Sequence, residues 1–195
     1  MHGIRWKPLV VLGGLSLWLA GPAQGHEGHN HAELNSVAVT LIDGQLVDSR
    51  GKPVRFQSEA VSDRIVVIDF VYSDCTSCPF ISKALAQVQD GLDGRLRDKV
   101  LLISIGVDPG TDTPEVLNAR ATELGAGPSW LWLTGSKHEV DRVLVGLDAY
   151  SQNVKSRAVM VLVGDARAGE WMRFLGVPSA EQILDKVNEL AARRQ

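Results

Sequence analysis

The segment from Arg64 to Tyr72 holds Ile65, Val66, Val67, Ile68, Phe70 and Val71 in a near-continuous β-branched and aromatic run. Such a run reads as a strand buried on both faces, so layers of other structure must lie above and below it. The segments after it alternate between the two periodicities. Pro79 to Leu92 sets Ile81, Leu85, Val88 and Leu92 at helical spacing, with Gly91 and Gly94 marking its end. Val100 to Val107 is a second apolar strand. Thr113-Pro114-Glu115 combines a hydroxyl cap, a proline at the first helical position and an acid in the first turn, which predicts a helix to about Leu124. A short strand at Trp130 to Leu133 and a helix at Lys137 to Leu147 come next. Val159 to Val163 and Glu170 to Leu175 flank a Gly164-Asp165 turn and read as an antiparallel pair. Ser179 and Gln182 form a capping box, opening a helix that lines up Ile183, Leu184, Val187, Leu190 and Ala191 on one face.

Ahead of these elements, Val37 to Ile42 and Gln45 to Phe56 read as a hairpin region with turns at Asp43-Gly44 and Ser49-Arg50-Gly51. Helices between parallel strands, then a hairpin and a closing helix, predict an α/β fold. The architecture expected is a thioredoxin-like three-layer sandwich with a central mixed β-sheet and an N-terminal β-hairpin extension. With 195 residues, 45% hydrophobic and 22% charged, the chain has the size and composition of one globular domain plus a tail. A net charge of -3 without a basic stripe argues against nucleic acid as a partner.

The first residues read as a targeting segment. Arg5 and Lys7 precede an apolar stretch from Leu9 to Ala20 and a small-residue site around Gly21 to Gly25, the anatomy of a signal peptide over residues 1–25. This predicts a periplasmic or secreted protein, tethered to the inner membrane if the segment stays uncut. Residues 26–33 then form a His-rich tail expected to be flexible, with His26, His29 and His31 as weak candidates for copper, zinc or nickel ligands. The alternative is a solvated linker of that composition. The folded domain is expected over 34–195.

Chemistry concentrates at one junction. Cys75 and Cys78 are the chain's two cysteines, in Ser73-Asp74-Cys75-Thr76-Ser77-Cys78-Pro79 between the buried strand and the next helix. Unpaired N–H groups and the helix dipole there favour a thiolate. The two-residue spacer lets the sulfurs close into a disulfide. Cys75 is expected to be the exposed nucleophile and Cys78 the resolving thiol, while Asp74 disfavours a neighbouring thiolate. A zinc site would need further ligands, and His138 is the one histidine of the folded part. A four-residue loop gains little from a purely structural disulfide. Six residues before Cys75, Asp69 lies in the buried strand, where its pKa should rise so that it can take the proton of Cys78 during resolution. The alternative is a hydrated Asp69 at an edge. The same spacing of acid and dithiol occurs in thioredoxin. His138 reads as a surface residue, and Trp130 and Trp132 as packing on an alternating strand.

From about Leu34 to Ala192 the chain resembles the Sco/SenC family. The resemblance rests on Val47-Asp48-x-x-Gly51-Lys52-Pro53-Val54, on Asp69-Phe70-Val71-Tyr72, and above all on Asp108-Pro109-Gly110-Thr111-Asp112-Thr113-Pro114-Glu115, where Thr113 or Asp112 is expected to cap a helix. Leu133-Thr134-Gly135 and Val161-Leu162-Val163-Gly164-Asp165 also fit. The family implies a thioredoxin fold and copper delivery to cytochrome c oxidase in the bacterial periplasm or at the mitochondrial inner membrane. Two departures bear on mechanism. The family motif Cys-x-x-x-Cys-Pro is shortened by one residue here, and the loop that carries a copper-binding histidine in the family reads Asn153-Val154-Lys155-Ser156-Arg157-Ala158. A cation at Lys155 or Arg157 would repel copper and stabilise a thiolate. No proline lies between Ser129 and Val177, so Val159 is expected where thioredoxin carries its cis-proline.

These features favour a thiol-disulfide oxidoreductase using Cys75, Cys78 and Asp69, with no cofactor required. The partner implied is a copper-binding protein with redox-active cysteines, such as the oxidase copper subunit or another metallochaperone, met by a monomer. The competing expectation is a Cu(I) metallochaperone binding through Cys75 and Cys78, with His26, His29 or His31 as a third ligand. A redox sensor or scaffold is the third.

Overall fold

The computed structural model describes residues 2–3, 32–94 and 96–194. Its strands are β1 (Glu33–Ser36), β2 (Gln45–Asp48), β3 (Pro53–Arg55), β4 (Ile65–Val71), β5 (Val100–Gly106), β6 (Trp130–Thr134), β7 (Met160–Asp165) and β8 (Glu170–Leu175). They form one sheet in the order β1-β8-β7-β4-β5-β6-β2-β3. β4, β5 and β6 run parallel, and the pairs toward both edges are antiparallel. The helices are α1 (Cys78–Gly91), α2 (Pro114–Glu123), α3 (Lys137–Gly146) and α4 (Ala180–Ala192).

All of β4 is buried, as the apolar run requires. Side chains alternate across a strand. Ile65, Val67 and Val71 therefore meet Ile81, Leu85 and Val88 of α1, Leu117 of α2, and Ile183 and Val187 of α4. Val66, Ile68 and Phe70 face the other way, toward Val140, Val143 and Leu144 of α3 and toward Phe56 and Val61 of a single π-helical turn (Phe56–Val61). Each such aliphatic side chain contributes about 1.5–3 kcal/mol through burial, which makes the middle of the sheet the part least able to open. Trp171 is core on this second face, and a Cβ on Gly164 across the strand pair would come within 2.2 Å of its ring, so only glycine fits there.

The helix caps follow the sequence. Thr113 Oγ1 accepts from the Val116 N–H, Ser136 Oγ from the Glu139 N–H, and Ser179 and Gln182 complete their capping box. Asp112 does not share the capping role and is used elsewhere, as described below.

The expectations at the N-terminal end need correction. β2 and β3 pair about the Ser49-Arg50-Gly51 turn, with Gly51 at φ 79°, and the hairpin extends the sheet by pairing β2 with β6. Residues 37–42 are not an arm of it. Val37, Val39 and Leu41 do pack against the core, which is why the segment alternates in sequence. Its backbone, however, spends its donors singly, from Val37 N–H to the Trp171 carbonyl and from Thr40 N–H to the Gly146 carbonyl. A Cβ at Gly146 would lie 2.2 Å from the Thr40 oxygen, so the crossing strap needs that glycine. The first strand among the described residues is instead Glu33–Ser36, paired with β8 at the opposite edge. Among the described residues no helix is long and apolar enough to cross a membrane. The signal-peptide segment and His26, His29 and His31 lie outside the described residues.

Candidate functional site

The cysteines sit at the C-terminal ends of the parallel strands, in the loop between β4 and α1. They form a disulfide with Cα atoms 5.4 Å apart. Cys78 is the first residue of α1, followed by Pro79, whose missing N–H costs nothing there. The first N–H groups of a helix lack intrahelical partners. Ser77, at the cap position, makes no side-chain capping bond. The Cys78 N–H donates instead to Cys75 Sγ at 3.0 Å, with Ser77 Oγ 3.7 Å from the same sulfur. A helix-start donor thus points at Cys75, the arrangement that stabilises a thiolate there on reduction. Cys75 is half-buried, whereas Cys78 is 8% exposed, with its sulfur 3.6 Å from the Phe70 carbonyl oxygen. The accessible sulfur is therefore that of Cys75.

Two hollows flank the disulfide. One, of about 220 Å³, is lined by Cys75, Cys78, Tyr72, Trp132, Arg120 and Glu123. The other is small and is bounded by Cys75, Ser77, Cys78, Phe70, Arg157 and Val159. Val159 thus faces the dithiol, at the place expected from the thioredoxin comparison. Arg157 also lines this hollow. It stacks 5.6 Å from the centre of the Phe70 ring and donates to the Ala149 carbonyl, and burial lowers its pKa from the usual arginine range. Lys155 does something different, pairing with Asp74 at 3.2 Å on the exposed surface and offsetting the acid next to Cys75.

Asp69 is fully buried on the α1 side of β4, not hydrated at an edge. Desolvation raises its pKa to about 7, against the opposing hydrogen bond from Ser104. Ser104 Oγ donates to Asp69 Oδ1 at 2.5 Å, and Trp130 Nε1 donates to Ser104 Oγ at 2.9 Å. Asp69 Oδ2 has no hydrogen-bond partner. A second buried acid, Asp112, accepts from Ser73 Oγ at 3.1 Å and from the Asp108 N–H at 2.9 Å. It ties the loop after β5 to the loop that carries the cysteines, and burial raises its pKa.

Sequence reasoning found Cys75, Cys78 and Asp69 and offered Lys155 or Arg157 as the cation, of which Arg157 lines the hollow beside the cysteines and Lys155 pairs with Asp74. It missed Ser104, Trp130 and the clamping role of Asp112. Ser104 carried a signal, as the one polar side chain in the apolar run from Val100 to Val107. Trp130 and Trp132 are both buried as core packing, with ring centres 5.3 Å apart. His138 projects into solvent on α3, as expected, with its side chain 79% exposed. Among the described residues no group of three or more His, Cys, Asp or Glu side chains is placed to hold a metal ion. The two cysteine sulfurs and the Met160 thioether are soft donors lining one hollow, and Arg157 lines it too.

The SCO1/SenC family profile matches residues 37–190. Protein SCO2, mitochondrial, of Saccharomyces cerevisiae is 28% identical over 147 residues, which make up 71% of this chain and 48% of that protein. The chain spans about half the length of the curated relatives it matches. ScoI of Bradyrhizobium japonicum, solved with copper bound, superposes with a TM-score of 0.62 at 22% identity, over 77% of this chain and 98% of that one. BsSco, a member of the Sco family of cytochrome c oxidase assembly proteins in which a disulfide switch is identified, gives 0.64 at 20% identity, over 80% and 95%. These superpositions establish the thioredoxin-like fold, and the profile match over most of the folded part establishes kinship: the chain belongs to the SCO1/SenC family.

Proposed function

We propose that this protein is a periplasmic thiol-disulfide oxidoreductase that serves copper-site assembly for cytochrome c oxidase. Its partner is a copper-binding protein with paired cysteines. The observation that carries the reading is the Cys75 sulfur, accessible, held by the first N–H of α1 and set on the same end of the sheet as a buried carboxyl. In the reduced protein the Cys75 thiolate attacks one sulfur of a partner disulfide, and the partner's other sulfur leaves as a thiolate. Cys78 then gives its proton to ionised Asp69 and attacks the Cys75 sulfur. The bond to the partner breaks, the partner leaves as a dithiol reduced by two electrons, and Cys75–Cys78 becomes the disulfide. The hydrogen bond from Ser73 to Asp112 holds the loop that carries the cysteines in the disulfide form.

A second reading, Cu(I) carriage by Cys75 and Cys78 with His26, His29 or His31 completing the site, draws support from the copper-bound family structures. It has to overcome the charge of Arg157, which lines the same hollow as both cysteines. Exchange is tested by trapping. Cys78→Ser should accumulate a mixed disulfide through Cys75 when expressed in periplasm, seen as a dithiothreitol-sensitive adduct that Cys75→Ser in the same background removes. Recovery of the variant with Cys75 free under those conditions would count against exchange.

A further inference from the structure

Asp69 and Ser104 are register partners on the parallel strands β4 and β5, and Trp130 stands on β6 two residues before Trp132, the register partner of Ser104. A serine hydroxyl has one hydrogen to give and lone pairs to receive, and an indole N–H can only donate. The Trp130 N–H takes a lone pair of Ser104, and the serine hydrogen is directed to Asp69 Oδ1. This leaves Oδ2 as the one carboxyl oxygen without a partner, in a site that holds no water-exposed alternative. Apolar side chains, together with the indole N–H of Trp132, which is buried without a hydrogen-bond partner, make up the core cluster on the face of β4 that carries Asp69. β7 places Val161 in register with it, α1 brings Ile81 and Leu85, and α4 brings Ile183 and Val187. The titratable groups of that cluster are Cys78 of α1 and, at its margin, Cys75 and Tyr72, and no charged side chain contributes to the perturbation of Asp69.

We propose that Ser104 and Trp130 are positioning residues for the buried acid: Trp130 holds the Ser104 hydroxyl as a fixed donor to Oδ1, so that the proton of Asp69 enters and leaves at Oδ2. In the exchange reaction, on which this second clause rests, that proton is the one released by Cys78. A donor fixed on the ionised form favours ionisation, so losing it raises the pH at which the carboxyl gives up its proton. Trp130 acts one step further away, since a serine released from the indole can turn its hydrogen elsewhere.

The experiment follows the Asp69 carboxyl carbon by NMR in the oxidised full chain, labelled at aspartate carboxyls, with Asp69→Asn assigning the resonance. The wild-type midpoint is expected at about 7. Ser104→Ala should move it up by about one pH unit, the size of a charge-assisted hydrogen bond. Trp130→Phe keeps the ring packing and removes the N–H, and should move it in the same direction by less. Midpoints unchanged in both variants would overturn the assignment, because loss of packing alone does not reproduce the graded order. Exchange rates with glutathione disulfide, measured on the same proteins, separate the two ideas. Rates whose pH dependence moves with the carboxyl midpoint support both. A shifted midpoint in a protein that shows no exchange supports the positioning of Asp69 and overturns the exchange reading.

Discussion

Asp69→Asn should stabilise the oxidised protein relative to wild type progressively from about pH 4 to about pH 7, reaching about 4 kcal/mol above that range. The sign follows from the direction of the shift. Burial raises the folded-state pKa of Asp69 from 3.8 to about 7, so between those values the native protein holds a proton that the unfolded chain has released. Stability is then fully present below the unfolded pKa and is lost as pH rises through the folded one. Asparagine cannot ionise, so the variant lacks this loss. Asp112, whose pKa burial also raises, gives wild type and variant the same additional slope, and the difference between the two curves isolates Asp69. Urea unfolding across pH checks it, and parallel curves would contradict the burial argument. The cost appears in function. With no base to take the Cys78 proton, resolution of a mixed disulfide should slow by about 100-fold.

Arg157→Met should slow alkylation of reduced Cys75 by iodoacetamide at neutral pH by about tenfold, because the thiolate loses the cation that shares its hollow. Methionine fills a similar volume against Phe70, which limits the effect of lost packing. The same change should strengthen Cu(I) binding by the reduced protein, since it removes a like charge from beside two soft donors. Both outcomes together are expected if the guanidinium favours exchange over copper binding. Equal alkylation rates in variant and wild type, with Cu(I) affinity unchanged, would show that Arg157 plays no such part.

Much of this site was legible because its signals are local. The apolar run from Arg64 to Tyr72 demanded a doubly covered strand, and an acid within that run could only be a buried acid or an edge residue. The two-residue spacing of Cys75 and Cys78 before Pro79 located the helix start. What escaped notice depends on placement across the sheet. Ser104 reaches Asp69 through strand register, and Trp130 reaches Ser104 from the next strand along. Asp112 sits beside a capping threonine, and only the packing of two loops shows that its carboxylate holds Ser73 instead. Residues 37–42 misled for the same reason. Their alternation records which side chains are buried, but pairing is decided by where the chain crosses, and here it crosses beneath the sheet from one edge to the other.

The most direct test of the exchange reading is the redox equilibrium of the reduced full chain against glutathione buffers, quenched with acid and read by mass after alkylation. The account predicts a single two-electron transition between the Cys75–Cys78 dithiol and its disulfide, reached quickly at neutral pH and lost in Cys75→Ser. A dithiol that exchanges no faster than free cysteine, and takes up Cu(I) tightly in one-to-one ratio instead, would contradict it.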